Sequence, residues 1–411
     1  MGPSRLHLAQ GTLAALALGA AVLLQGAAPA ASPRSDNLVA DRVESLRLGG
    51  DLVAQRRHMW TVFADMVSGE EPAFVHWQGE GGVFGTEAAA KRPAGIQGFQ
   101  RPKSIGADPH LIGAPIIAYN LFNPAAFAHI RAQGLFRKAT LDRLQLTGQT
   151  GSVPPFPAAS IVIKTAWWPV APEGLTAMPV WDPELNPPDP NGNPYLGWAR
   201  VVAVDPANIS RRKTTAVQFI GRSFPGARRV QLEAFHNVAV DAAMAKQLAR
   251  DPESNRTAII ALGRPIAVND RLALVGINMM THEQEDWVWA AFWWHDRPEV
   301  GPFAADRPTA LRGPWRNYLM QAAFDAETPR ASDAGAHICF NPWLEARFPD
   351  GGQGGGTVSN CLSCHQRASY PAAPFLPVTR GAPNLREDPA LAPDRLRTSF
   401  LWSLTLHAQR D

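Results

Sequence analysis

Cys361-Leu362-Ser363-Cys364-His365 has the spacing C-x-x-C-H. Two Cys three apart on one helical turn present both thiols to the two vinyl groups on one edge of a haem, where thioethers form. The adjacent His then lies under the iron and supplies the proximal nitrogen. Ser359 or Asn360 can cap that turn, and the Gly-rich run Gly351–Gly356 lets the chain approach a macrocycle closely. Other uses of the pair fit less well. Zinc asks for a second ligand pair at close spacing, and the remaining Cys, Cys339, stands alone. A redox C-x-x-C should follow a strand in a βαβ unit, and the flank here is a Gly loop. One motif implies one covalent haem c on Cys361 and Cys364, with His365 as axial iron ligand. A catalytic thiol at Cys361 would be consumed by the attachment.

The second axial position is less determined. Only 46 residues follow His365, and none is Met. A sixth ligand must come from upstream, from His407, or be absent. His295 ranks first, because it ends a Trp-rich stretch and precedes Asp296, which could orient an imidazole through its other nitrogen. His337, His407 and Met279 follow, with Met280, His282 and His236 on or near strands. Each has an ordinary alternative as a hydrogen-bonded His or a packed Met, and an open sixth position stays on equal terms. Cys339 reads as a buried small hydrophobe near the haem segment.

The elements that must position these residues are β-rich. Ser160–Trp168 alternates and is β-branched, and Trp198–Val204, Ala216–Ile220, Val230–Val240, Leu272–Met279 and Trp287–Trp294 read as further strands. On the last of these, Trp287, Trp289, Ala291 and Trp293 share one face, and Val288, Ala290, Phe292 and Trp294 the other. Both faces are apolar, so this strand is expected to be central and covered on both sides. The 13 Trp residues read chiefly as large core side chains. Helices are expected over 36–66, from Asn123-Pro124 to about Gln133, over 139–146, from Asp241 (a cap) to Arg250, over 309–325 and over 394–407. Residues 67–118 and 170–196 read as loop. The fold class expected is α+β: a β-rich, sandwich-like middle, short N-terminal helices and a helical C-terminal haem segment. The expected divisions are a signal peptide at 1–31, a β-rich domain at 32–330 and a haem-attachment segment at 331–411.

Composition narrows the class. The 411 residues are 45% hydrophobic and 18% charged, which excludes disorder driven by charge, and 37 Pro disfavour a helical bundle. Net charge is +3 and no basic run exceeds Arg211-Arg212-Lys213, so nucleic acid and polybasic membrane binding have little support. Arg5, an apolar stretch from Leu13 to Leu24 and Ala28-Pro29-Ala30 follow the order of a cleavable secretory signal. That stretch is shorter than the ~20 residues a membrane span needs. A periplasmic or secreted chain with no later transmembrane segment is expected.

Four segments carry a family resemblance: Trp287–Pro298 (WVWAAFWWHDRP), Gly313–Met320 (GPWRNYLM), Phe340–Glu345 (FNPWLE) and Ser359–Ala368 (SNCLSCHQRA). In this order they resemble exported bacterial cytochrome-c-family proteins with a single C-terminal haem motif after a long β-rich region. The resemblance is loose from about 55 and tight from about 272. It implies a haem protein outside the cytoplasm, with Cys361, Cys364 and His365 as attachment and axial residues. His295 matches the His that closes the Trp-rich motif in similar chains, and Asn278 stands where some of them carry His. It does not decide between carrier and enzyme.

Three functions remain. The first is electron transfer with periplasmic redox partner proteins. The second is a haem-dependent oxidase or peroxidase with an open sixth site, for which His295 with Asp296, or Glu283 and Glu285, could serve as acid/base. The third is a binding module whose haem is structural or sensory.

Overall fold

Strand-forming sequence between 117 and 323 assembles into two main sheets. The computed structural model describes residues 43, 46, 51–91, 116–147, 151–182, 197–207, 212–324, 339–345, 361–372 and 394–409. Residues 1–31, His337 and the Gly351–Gly356 loop lie outside these.

In chain order the strands are β1 (Gln78–Gly79), β2 (Ile117–Phe122), β3 (Ile161–Val170), β4 (Thr176–Val180), β5 (Arg200–Asp205), β6 (Thr214–Phe219), β7 (Arg222–Gln231), β8 (Asn237–Ala239), β9 (Arg271–Thr281), β10 (Val288–Trp294), β11 (Tyr318–Ala323), β12 (Ser369–Tyr370) and β13 (Leu396–Arg397). A seven-stranded antiparallel sheet has the order β1-β2-β3-β9-β10-β11, with β8 also on β9. A four-stranded sheet has the order β4-β5-β7-β6, with β5 and β7 parallel. β12 and β13 form a small pair. The chain is mixed α+β with a β-rich middle, as the sequence predicts.

β10 lies between β9 and β11 and is buried along its whole length, so the alternating Trp pattern does mark a strand covered on both faces. The helix Leu52–Val67, capped by the Asp51 carboxylate, covers one face. There Phe63 stacks on Phe292 at 4.2 Å and Trp60 meets it edge-on at 5.2 Å. The two sheets share this core through Trp168 against Phe219 and Trp181 against Trp293. The other face, around Trp287, Trp289 and Ala291, carries a second cluster. It combines Val83, Phe84, Phe122, Ile130 and Phe156 with Cys339, Leu362, Tyr370, Leu396 and Leu404, so the C-terminal segment shares its core with N-terminal elements.

Several local expectations are corrected. Residues 309–325 are not one helix but a short 3-10 turn, Gly313–Asn317, followed by β11. Tyr-Leu-Met-Gln-Ala-Ala has no β-branched residue, and its strand conformation comes from pairing with β10. The C-terminal helix covers only Trp402–His407, because Ser399 and Phe400 adopt φ of 49° and 63° and interrupt the chain direction. The 230–240 strand is broken by a 3-10 turn at Leu232–Ala234. The expected 170–196 loop contains β4, whose Pro179 is tolerated because β4 is an edge strand. The Asn123 and Asp241 caps are present, each accepting from the backbone N–H three residues on.

Candidate functional site

The CLSCH residues form one helical turn, Cys361–His365, lying against the second face of the central sheet. Leu362 is fully buried there and anchors the turn. Cys361, Cys364 and His365 each keep part of their surface accessible. All three are nevertheless strongly desolvated by the protein around them. That combination describes a recess rather than an open surface.

His365 is held on two sides. Its ring lies 4.5 Å from the Trp289 ring. Its Nδ1 is 2.8 Å from the Phe400 carbonyl oxygen. A carbonyl only accepts, so Nδ1 carries the proton and Nε2 presents a lone pair. The two left-handed residues, Ser399 and Phe400, aim that carbonyl. Ser399 is fixed in turn by the Trp287 indole N–H, which donates to its Oγ at 3.0 Å. Burial brings the His365 pKa down to about 4; the Phe400 hydrogen bond opposes this and the Lys164 charge adds to it. The imidazole is therefore neutral at pH 7, the form that ligates a metal.

The floor of the recess is a polar row across an otherwise apolar sheet face. Asn120, Lys164, Asn278, Ala291 and Gln321 stand directly opposite one another on β2, β3, β9, β10 and β11. Directly opposed residues in antiparallel strands share a face. Glu345, at the end of the Pro342–Glu345 turn, joins this row. Its carboxylate accepts from Asn278 Nδ2 at 2.6 Å and from the Asn341 backbone N–H. Burial raises the Glu345 pKa, against the Asn341 and Asn278 hydrogen bonds and the Lys164 charge. Gln321 takes the Phe340 N–H on its side-chain oxygen at 3.1 Å. At the other end of the row, Asn120 Nδ2 donates to Glu80 Oε1 at 2.6 Å, and His407 Nε2 is 3.0 Å from Glu80 Oε2. Asn341 seats the segment by donating to the Phe292 carbonyl at 3.0 Å, above Gly276, where a Cβ would lie 2.9 Å from its amide atoms.

Cys339 is buried, as expected from sequence, and it has a neighbour. Its Sγ is 3.9 Å from Cys361 Sγ. The Cys361 thiol is pushed well above the ordinary thiol range, first by the hydrogen bond to Cys339, then by burial and nearby Glu345 and Cys364. Burial raises the Cys364 thiol, and Arg367 offsets part of it.

The residues considered for a sixth ligand disperse. His295 lies beyond the far end of β10, six residues from Trp289, which is roughly 20 Å along a strand. Its Nδ1 accepts from the Arg297 backbone N–H at 3.0 Å, and its Nε2 is 3.3 Å from Asp182 Oδ1. The structure does not bring His295 to the CLSCH turn. Instead it joins a buried network in which Arg200 bonds both Asp182 and Asp296. Burial alone would raise the Asp182 pKa, but the His295 and Arg200 hydrogen bonds outweigh it and hold the carboxyl well below its usual range. Met279 and His236 are also removed from the recess: Met279 points to the opposite face, and His236 stacks on Trp315 at 5.2 Å. On the site face, Met280 is directly opposite Trp289 and His282 meets Trp287 edge-on at 4.7 Å. Glu283 pairs with His58 at 3.1 Å, and Glu285 is exposed.

Sequence reading missed Lys164 and Glu345 as site residues, and noted Asn278 only as standing where similar chains carry His. A signal existed: each interrupts an otherwise apolar or aromatic run, in SIVIKTAWW, LALVGINMM and FNPWLE. Among the described residues no helix is long and apolar enough to cross a membrane. No protein-family model, no curated protein and no solved structure matches this chain.

Proposed function

We propose that this chain is a monohaem c-type cytochrome exported to the periplasm through its 1–31 segment, and that it transfers electrons between redox partner proteins. The observation that carries the reading is the orientation of His365. A neutral imidazole donates Nδ1–H to the Phe400 carbonyl and leaves Nε2 available, on the same turn as two partly accessible thiols. Metal-binding His characteristically has its other nitrogen fixed in this way. The residues therefore fit a covalent haem: Cys361 and Cys364 as thioether donors and His365 as axial ligand. When bound, such a group supplies a one-electron iron couple whose potential follows its ligands, burial and hydrogen bonding. The protein's part is to hold the His365 ring with Trp289 and Phe400, to limit water, and to place the Lys164 and Glu345 charges nearby.

A second reading, a haem-dependent oxidase or peroxidase, is favoured by one feature. Lys164, Asn278 and Glu345 bring an amine and a carboxyl of raised pKa to the recess. A simple carrier has no use for them, whereas proton-transfer chemistry does.

The test is the visible spectrum of chain expressed with c-type haem maturation, recorded in the ferrous state before and after carbon monoxide. A low-spin spectrum unmoved by carbon monoxide is expected for a carrier. A shift would favour the oxidase or peroxidase and make peroxide turnover the next assay. Absence of covalent haem would overturn both.

A further inference from the structure

We propose that Cys339 is a redox partner of Cys361, and that the haem-free chain carries a reversible Cys339–Cys361 disulfide. Cys339 opens the Cys339–Glu345 segment that crosses the sheet face, and Cys361 opens the CLSCH turn. Independent contacts fix both. Phe340 N–H is held by Gln321, Asn341 by the Phe292 carbonyl, and the turn by buried Leu362 and by His365 on Phe400. The two sulfurs are 3.9 Å apart, and Cys361 Sγ is also 3.5 Å from the Cys339 carbonyl oxygen. To bond, the sulfurs must close by less than ~2 Å.

Accessibility assigns an order to the chemistry. Cys361 is partly accessible and Cys339 is 1% exposed. An external disulfide, from a thiol oxidoreductase or oxidised glutathione, therefore reacts first at Cys361. Its thiolate attacks one oxidant sulfur, giving its proton to solvent, and the other oxidant sulfur leaves as a thiolate. Cys339 then attacks Cys361 Sγ, its proton passing to the departing oxidant sulfur, which leaves as a thiol as Cys339–Cys361 forms. Two protein thiols are oxidised and one external disulfide is reduced to two thiols.

The consequence for cofactor loading rests on the cytochrome reading: a Cys361 held in this disulfide has no thiol to add to a vinyl group, and a dithiol must first reduce it. The disulfide itself does not rest on that reading.

The test uses full-length chain made without haem maturation. After incubation with oxidised glutathione the folded protein is alkylated, digested without reductant and analysed by mass spectrometry. The expected result is linked Cys339 and Cys361 peptides, with one alkylation, at Cys364, in place of the three found after denaturing reduction. In Cys364→Ala the same link should form; in Cys339→Ala, Cys361 should appear as a glutathione adduct or joined to Cys364. A wild-type chain showing Cys361–Cys364, or glutathione on Cys361 with Cys339 still a thiol, overturns the proposal. A chain that forms the link but takes no covalent haem when reduced and matured would sink the cytochrome reading and leave this inference standing.

Discussion

The two ends of β10 carry two histidines in opposite circumstances. At the Trp289 end, His365 has one nitrogen fixed by the Phe400 carbonyl, and among the described residues no hydrogen bond takes up the other. At the far end, His295 Nδ1 accepts the Arg297 N–H, and Nε2 faces the Asp182 carboxylate at an ion-pair distance of 3.3 Å. Both histidines are close to β10, His365 packed on Trp289 and His295 just past its C-terminal end. What differs is the neighbouring chemistry. The His365 end has two thiols, an amine and a carboxyl around a recess. The His295 end has matched ions, with Arg200 between Asp182 and Asp296. A closed set of partners makes structure, and a set with a spare lone pair makes a site.

The largest effect should come from breaking the closed end. Arg200→Met leaves Asp182 and Asp296 without their shared cation, and should cost about 3–5 kcal/mol in urea unfolding, the usual loss when one partner of a buried pair is removed. His295→Ala should cost about 1–3 kcal/mol through the lost contact with Asp182, whose carboxylate keeps Arg200, and the spectrum of haem-loaded chain should stay as in the wild type. His365→Ala should do the reverse, abolishing the low-spin spectrum at little cost in stability. A low-spin spectrum lost in His295→Ala would break the comparison.

Gly276→Ala sharpens the site end. Its new Cβ would lie 2.9 Å from both amide atoms of Asn341, which is held to the Phe292 carbonyl. Overpacking of this kind costs about 1–3 kcal/mol, and it should loosen the Cys339–Glu345 segment, seen as faster alkylation of Cys339.

A further effect appears only in acid. Burial against Trp315 lowers the His236 pKa to about 4. The unfolded chain, with His near 6.5, binds more protons between those values, so stability falls as pH drops from 6.5 towards 4. From pH 7 to pH 5 this group should account for about 2 kcal/mol. His236→Phe should remove that part of the acid loss and leave stability at pH 7 nearly unchanged, as measured by urea midpoints at the two pH values.

The amino-acid pattern made the β-rich middle and the buried Trp strand readable, because β-branched and aromatic residues fill Ser160–Trp168 and Trp287–Trp294, and apolar residues on both faces of the latter suit a strand buried on both sides. The helical turn Cys361–His365 was readable because its spacing is local. Tyr318–Ala323 was not, since its strand state depends on pairing with β10, nor was the start of the C-terminal helix, set by two left-handed residues with ordinary side chains. The polar row was hidden for a related reason. Asn120, Lys164, Asn278 and Gln321 lie far apart in sequence, and only strand register aligns them. His295 misleads in the same way: Asp296 beside it looks like an orienting partner, but Asp296 pairs with Arg200, and His295 turns to Asp182.

The central claim is that Cys361, Cys364 and His365 hold one covalent haem. The most direct measurement is the denatured intact mass, with a reduced pyridine haemochrome spectrum, of chain expressed with c-type haem maturation, alongside Cys361→Ala/Cys364→Ala. The account predicts one haem of added mass, surviving denaturation in the wild type and absent from the double variant. An unmodified wild-type mass, or haem that survives in the double variant, would contradict it.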